Sequence, residues 1–206
     1  DLALNGGETD VYNSTMQGIL CGESVSGATG GVFSATSSQM TGVTANACTI
    51  TLKQDTIDTT SLTGNPSPLS IGSSTFEIEN NVMVCGDGFS DGPYVGASAA
   101  STFRFNTLVN ISGEDETATP ISCDGPVDAS NNIIAWNSSH PGYCPTTYTL
   151  YDQFQSLPPG DGNEIGSNST FFVDMAGKDF HLAPASPAIG AAAANACAAV
   201  LIDHVG

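Results

Sequence analysis

Asp55 and Asp58 stand close together in "TLKQDTIDTT" (51–60). Two carboxylates at short range are the equipment of glycoside hydrolysis, one as acid and the other as base or nucleophile. No second acidic cluster accompanies them, so turn or surface roles compete with that reading. Bases are scarcer, since Lys53, Arg104 and Lys178 are the only Lys and Arg residues in 206. His140, His181 and His204 are scattered, and no Ser/His/Asp or Cys/His arrangement follows from their spacing. Three acidic, glycine-bearing stretches, "CGDGFSDG" (85–92), "SGEDETA" (112–118) and "PGDGNEIG" (159–166), offer carboxylate and carbonyl oxygens to a hard cation. Calcium is therefore the one candidate cofactor, with Asp87, Asp91, Asp161 and Glu164 as candidate ligands. Neither the EF-hand spacing nor the glycine-rich nonapeptide is present, and solvated turns are the plainer reading. Trp136, Tyr143, Tyr148 and Tyr151, with Tyr94 and Phe154, form an aromatic set able to stack on sugar rings. Trp136 is equally suited to a core.

Composition narrows the partners. Twenty-one Asp+Glu against three Lys+Arg give a formal net charge of −18, although only 12% of residues are charged. Such a surface repels nucleic acid, anionic lipid and polyuronates, and leaves protein partners and neutral glycans. Six cysteines, Cys21, Cys48, Cys85, Cys123, Cys144 and Cys197, lack C-x-x-C spacing, which argues against zinc. Their even number in an acidic chain rich in Ser, Thr, Gly and Asn points to disulfides and to a secreted or cell-surface location, with the pairing left open. No apolar run reaches the length of a membrane span. No leader pattern is visible and the chain opens in mid-pattern at Asp1, so a mature or trimmed product is expected. N-x-[ST] triplets at Asn13, Asn110, Asn137 and Asn168 are candidate glycosylation sites in a eukaryotic host.

The elements that must position these residues are short. Apolar segments of a few residues alternate with Gly, Pro, Asn, Asp and Ser, which reads as many short strands. A 3.6-residue period is confined to the Ala-rich tail after Pro184. "TLKQDTIDTT" (51–60), "EIENNVMVCG" (77–86), "FRFNTLVNIS" (103–112) and "DASNNIIAWN" (128–137) share one form: Asn or Asp, then Thr or Asn, then apolar residues. Aligned on Asp55, Asn80, Asn106 and Asn131, they recur every 25 or 26 residues, with Asn81 an equally good register for the second copy. "VYNSTMQG" (11–18) and "FSATSSQMTG" (33–42) read as earlier, degenerate copies. Leucines are too few for a leucine-rich repeat, and propeller blades are longer. A β-solenoid fits, each coil pairing in parallel with the next, so that like residues stack at about 4.8 Å into a polar ladder. Lys53 and Arg104 then occupy equivalent positions two coils apart, roughly 10 Å along the axis.

The repeat x-N-[NT]-[IVL]-[IVL] resembles the right-handed parallel β-helix proteins of the pectate-lyase-like superfamily, of bacterial secreted and surface type. The closing "FFVDMAGKDFHLAPASPAIGAAA" (171–193) is similar to the segment that ends many of them. The resemblance implies an all-β, right-handed parallel β-helix of about 25 residues per coil, with a short irregular or helical C-terminal cap. It divides the single domain 1–206 into degenerate coils (1–42), regular coils (43–140), final irregular coils (141–192) and an Ala-rich tail or cap (193–206). His181 falls in the terminal motif, where packing of the last coil accounts for it. The tail departs from the family's usual polar exit, so it caps the open end or meets a neighbour.

The family hosts lyases, hydrolases, adhesins and structural parts, so fold alone does not assign activity. The lyases it resembles hold calcium with clustered carboxylates beside an Arg or Lys base, and Lys53 or Arg104 could supply that base. The hydrolases' Asn-Thr-Asp, Asp-Asp, Gly-His-Gly and Arg-Ile-Lys motifs are absent. The reading that results is a non-catalytic exported structural or interaction module, self-associating or docking through its solenoid ends. The alternative is a carbohydrate-binding or carbohydrate-active β-helix, a polysaccharide lyase or glycoside hydrolase.

Overall fold

A computed structural model describes residues 2–4, 6–22, 30–64, 66–86, 91–111, 118–136, 138–139, 142–152, 157–194 and 196. Among them the chain is all β apart from one 3-10 turn, Asn168–Thr170. No helix is long and apolar enough to cross a membrane. Each coil lays down up to three short strands, and each strand pairs in parallel with its counterpart one coil later. Sheet A stacks Leu2–Leu4, Gly18–Cys21, Gly42–Asn46, the first part of Leu69–Glu79, Tyr94–Ala97 and Ser122–Asp124. Sheet B stacks Glu8–Tyr12, Val32–Thr36, Thr49–Lys53, the second part of Leu69–Glu79, Ser101–Arg104, Val127–Ser130 and Thr146–Thr147. Sheet C stacks Gln39–Met40, Thr56–Asp58, Val82–Cys85, Thr107–Asn110, Ile133–Ala135, Leu150–Asp152 and Glu164–Gly166. The fold is thus a parallel β-solenoid.

Side chains alternate across each strand, so one set from every sheet points inward and stacks along the axis. On sheet B the inner row runs Val11, Ala35, Leu52, Ile78, Phe103, Ala129, Thr146. Those steps are 24 to 26 residues, except for two shorter coils of 17 that enter at Leu52 and Thr146. Sheet C contributes Met40, Ile57, Met83, Leu108, Ile134 and Tyr151. Most of these side chains are fully buried, and each large one stabilises the fold by about 1.5–3 kcal/mol.

Sheets B and C are joined by a two-residue turn repeated in every coil. Its first residue is left-handed: φ is 46° at Asn13, 53° at Ser37, 59° at Gln54, 58° at Asn80, 56° at Phe105, 57° at Asn131 and 49° at Tyr148. Asparagine tolerates that region better than most L-residues, which accounts for three of the seven. The second residue turns its side chain into the core.

Sheet C is apolar on its outer face too. Val109, Ala135 and Leu150 form a second cluster with Phe171 and Phe172, against which Met175, Phe180 and Ala188 pack. Strands covered on both faces read as continuous apolar runs, as in "VMVC" (82–85). The covering element is an antiparallel hairpin, Phe172–Asp174 with Asp179–Leu182. The terminal motif is therefore not part of a final coil but a strap lying on sheet C. Lys178 Nζ reaches back to Asp58 Oδ2 (2.6 Å) and Thr60 Oγ1 (2.8 Å), 120 and 118 residues earlier.

Candidate functional site

The polar ladder is continuous, and it falls one residue later than the sequence alignment places it in two coils. Backbone N–H groups donate to the side-chain oxygen one coil on: Ser38 to Asp55 (2.7 Å), Asp55 to Asn81 (2.8 Å), Asn81 to Asn106 (3.1 Å), Asn106 to Asn132 (2.9 Å). Ser14 donates to Ser38 at one end, and Thr149 donates to Asn163 near the other. Asn81, Asn106 and Asn132 also send Nδ2 to the carbonyls of Leu52, Ile78 and Phe103. Asp55, Asn81, Asn106 and Asn132 are buried. Asn80 and Asn131 are instead the left-handed residues of their turns and face outward, where Asn131 Oδ1 accepts from Ala193 N (2.9 Å).

That placement removes Asp55 from any active site. It is 0% exposed, and burial pushes its carboxyl up to about 7 despite N–H donation from Ser38 and Lys53. Its neighbour Asp58 is drawn the other way. Burial raises it, but bonds from Lys178 and Thr60 outweigh burial and hold it below the usual carboxylate range. The cations are all paired. Lys53 and Arg104 do share an outer row of sheet B, with Glu79 between them in register. Lys53 bonds Glu77 (2.7 Å), Arg104 bonds Glu79 through Nε (3.1 Å) and a terminal nitrogen, and Lys178 bonds Asp58. A base already paired with a carboxylate is poorly placed to take a proton from a sugar carbon.

The aromatic set divides. Trp136 and Tyr151 are 0% exposed and belong to the core, where Tyr151 Oη lies 2.5 Å from Thr146 Oγ1; neither can meet a sugar. Tyr143 and Tyr148 are on the surface, 73% and 38% exposed. Tyr143 shares an outer row of sheet A with Ser122 and Tyr94. The Tyr94 hydroxyl comes within 3.1 Å of where a Cβ on Gly96 would sit, so its ring lies along the strand over the glycine. Tyr148 lies in the same way over Gly162 of the following turn.

Two disulfides, Cys21–Cys48 and Cys123–Cys144, each tie one coil to the next. Cys85 is instead a free thiol buried in the core, and burial pushes it up to about 12. Cys197 lies outside the described residues, as do Asp87, Asn137 and the side chain of Asn168. Asn13 is exposed, whereas Asn110 sits buried in a sheet C strand and cannot receive a glycan in the folded chain. The described acidic candidates are spread out. Asp91 accepts from Thr119 N, while Asp161 and Glu164 are exposed on the last coil. Among the described residues no three His, Cys, Asp or Glu side chains gather into a cation site.

Two grooves flank the strap. One, ≈700 Å³, lies at its tip and is lined by Asp58, Thr60, Lys178, Asp179 and His181, with His181 Nδ1 2.5 Å from Asp179 Oδ1. The His181 bond and charge hold the exposed Asp179 carboxyl below its ordinary value. The other, ≈610 Å³, runs between the strap and the sheet B–C turns. Its turn-side wall is Asn80, Phe105, Asn131 and Tyr148, the left-handed residues of successive coils. Sequence reasoning missed this row, although its signal was present: each member immediately precedes a ladder residue or Thr149. Comparison of the chain with protein-family models, with curated proteins and with solved structures finds no match.

Proposed function

We propose that this chain is a non-catalytic interaction module of a secreted or cell-surface assembly, a right-handed β-helix of the pectate-lyase-like, bacterial surface type. One observation carries the reading: the three Lys and Arg side chains and the ladder carboxylate Asp55 are committed to holding the fold together. Lys53, Arg104 and Lys178 are each neutralised by a carboxylate, and Asp55 is sealed in the ladder. Two disulfides fit an oxidising compartment. Partners would be proteins or copies of the chain meeting the strands Leu2–Leu4 and Glu8–Tyr12, each of which pairs with one strand among the described residues. Incubation with neutral and uronic polysaccharides, followed by reducing-end and unsaturated-uronide assays, should give no turnover. Turnover that Arg104→Ala or Asp58→Asn abolishes would sink the reading.

Carbohydrate binding without catalysis is the second reading. The exposed Tyr94 and Tyr143, two rungs apart on sheet A, favour it.

A further inference from the structure

We propose that the outer face of sheet A docks a second copy of this chain, the two solenoids lying side by side with their axes antiparallel. The proposal rests on the non-catalytic interaction reading above and adds to it a partner and a lateral surface, away from the solenoid ends.

One row of side chains runs the length of that face in a single register. Ala3, Leu20 and Thr44 fill its first three rungs, Ser70 the fourth, and Tyr94, Ser122 and Tyr143 the last three. All are exposed or half-buried, and Tyr143, at 73%, is the most exposed of the large hydrophobic side chains described. The rows on either side are low: Gly18 pairs with Gly42, Asn46 with Gly72, and Gly96 with Asp124. The sizes along the row are self-complementary. A two-fold axis through Ser70, parallel to the strands, sets Tyr143 on the partner's Ala3, Ser122 on the partner's Leu20 and Tyr94 on the partner's Thr44. Each bulky side chain then meets a smaller one, as in facing sheets that interdigitate about 10 Å apart. A two-fold axis along the solenoid would instead set ring on ring at both tyrosines.

Charge selects the same face. Two copies that each carry a net charge of −18 repel, so they approach through the surface that holds the fewest charges. Among the described residues Asp124 is the one charged side chain on the strands of sheet A. Sheet B presents Glu8, Asp10, Glu77, Glu79 and Asp128, with Lys53 and Arg104 against them, and the apolar part of sheet C lies under the strap. A basic partner would choose sheet B for the same reason. A sugar stacked on Tyr94 and Tyr143 would use one half of the row and leave Leu20 and Thr44 without a role. Seven rungs of four-residue strands measure roughly 29 Å by 13 Å. That is on the order of 400 Å² per partner, half the ~800 Å² of a standard interface. The dimer is therefore reversible, and salt that screens the repulsion favours it.

The test is sedimentation velocity of the whole chain over a concentration series, at low and at roughly 0.5 M salt. A monomer–dimer equilibrium should appear, tighter at the higher salt. Tyr94→Ala and Tyr143→Ala should each weaken it about tenfold, because each ring is buried twice in a symmetric pair. Ser70→Asp and Ser70→Lys each set like charges on the axis and should abolish the dimer, whereas a mixture of the two variants should restore it. Ala3→Trp should block the dimer by colliding with Tyr143, and adding Tyr143→Ala to it should relieve the block. Circular dichroism melts confirm that each variant folds. A monomer at every concentration and salt would overturn the proposal and leave the interaction reading standing. So would a dimer that tolerates both tyrosine substitutions, a Ser70 mixture that stays monomeric, or an Ala3→Trp block that Tyr143→Ala does not relieve. Sugar binding that needs Tyr94 and Tyr143 in a chain that stays monomeric would assign the face to carbohydrate and overturn it too. Polysaccharide turnover by a chain that still dimerises would end the non-catalytic reading alone.

Discussion

The paired asparagines "NN" at 80–81 and 131–132 divide two tasks that a single residue cannot perform. The first adopts a left-handed backbone and faces the groove, and the second points inward and joins the ladder. Asn132→Leu would strip the Asn106 N–H of its acceptor and the Phe103 carbonyl of its donor, both in the core. At about 1–3 kcal/mol for each buried group left unpaired, the loss should be on the order of 3 kcal/mol in chemical denaturation. Asn131→Gly keeps the left-handed turn and should cost well under half of that. If the glycine variant proved the more damaging, the ladder register given above would be wrong. Asp55 is the exception within the ladder. Its carboxyl titrates at about 7 when folded against an ordinary 3.8, so the folded chain binds more protons across that window. Stability from this residue is therefore complete below about pH 4 and is lost as pH rises through 7. Asp55→Asn should raise the melting temperature at pH 8 and leave it nearly unchanged at pH 4; a benefit equal at both pH values would refute the assignment. The ladder's existence was legible from the repeat, but its register was not, because "NN" satisfies either alignment. Gln54-Asp55 and Phe105-Asn106 break the tie: their second members are the ladder residues, which forces Asn81 and Asn132.

At the scale of elements, the strap turns sheet C from a half-exposed surface into a two-sided core. The terminal segment was visible as a motif, yet sequence periodicity could not say where it docks, because docking depends on an outer face assembled from coils far apart in the chain. The "VMVC" and "IIAW" runs carried the hint, since both faces of those strands are apolar where period-two alternation was expected. Phe172 packs edge-on against both Phe171 and Phe180, with ring centroids at 6.1 and 5.5 Å. Phe172→Ala should cost about 3 kcal/mol and raise binding of a hydrophobic dye while the far-ultraviolet β signal of the coils survives. Loss of that β signal together with the strap would show that the solenoid does not stand without it. The polar latch at the tip contributes less. The Lys178–Asp58 pair is partly exposed, with side chains 39% and 32% accessible, so Lys178→Met should change stability by less than about 1 kcal/mol. Because Asp58 is held below its ordinary value, what the latch contributes is present at neutral pH and is lost as pH falls through the low folded value. A latch contribution that grew on acidification would contradict the geometry.

The whole molecule is a stack, and a stack is stabilised coil against coil rather than around one central nucleus. That organisation was readable from the repeat, since coils of similar length with one conserved turn chemistry leave few other folds. The two 17-residue steps were not, because a coil can omit a connecting loop without disturbing any strand register. The two disulfides act within this one-dimensional scheme. Cys21–Cys48 clamps the coils near one end across 27 residues, and Cys123–Cys144 clamps those near the other across 21. Closing loops of that size restricts the unfolded chain by about 3 kcal/mol each in the entropic account, and in a solenoid the effect stays local. Replacing Cys21 and Cys48 together with Ser should therefore lower hydrogen-exchange protection first in Gly18–Cys21 and Gly42–Asn46. The ladders joining Val82–Cys85, Thr107–Asn110 and Ile133–Ala135 should keep theirs, because their neighbours on both sides remain in place. The Cys123/Cys144 pair of substitutions should show the mirror pattern, loosening the coil that carries Tyr143 while the first coils hold. Equal loss of protection along the full axis in either variant would mean that the molecule unfolds as one cooperative unit, and the coil-by-coil account of its stability would fail.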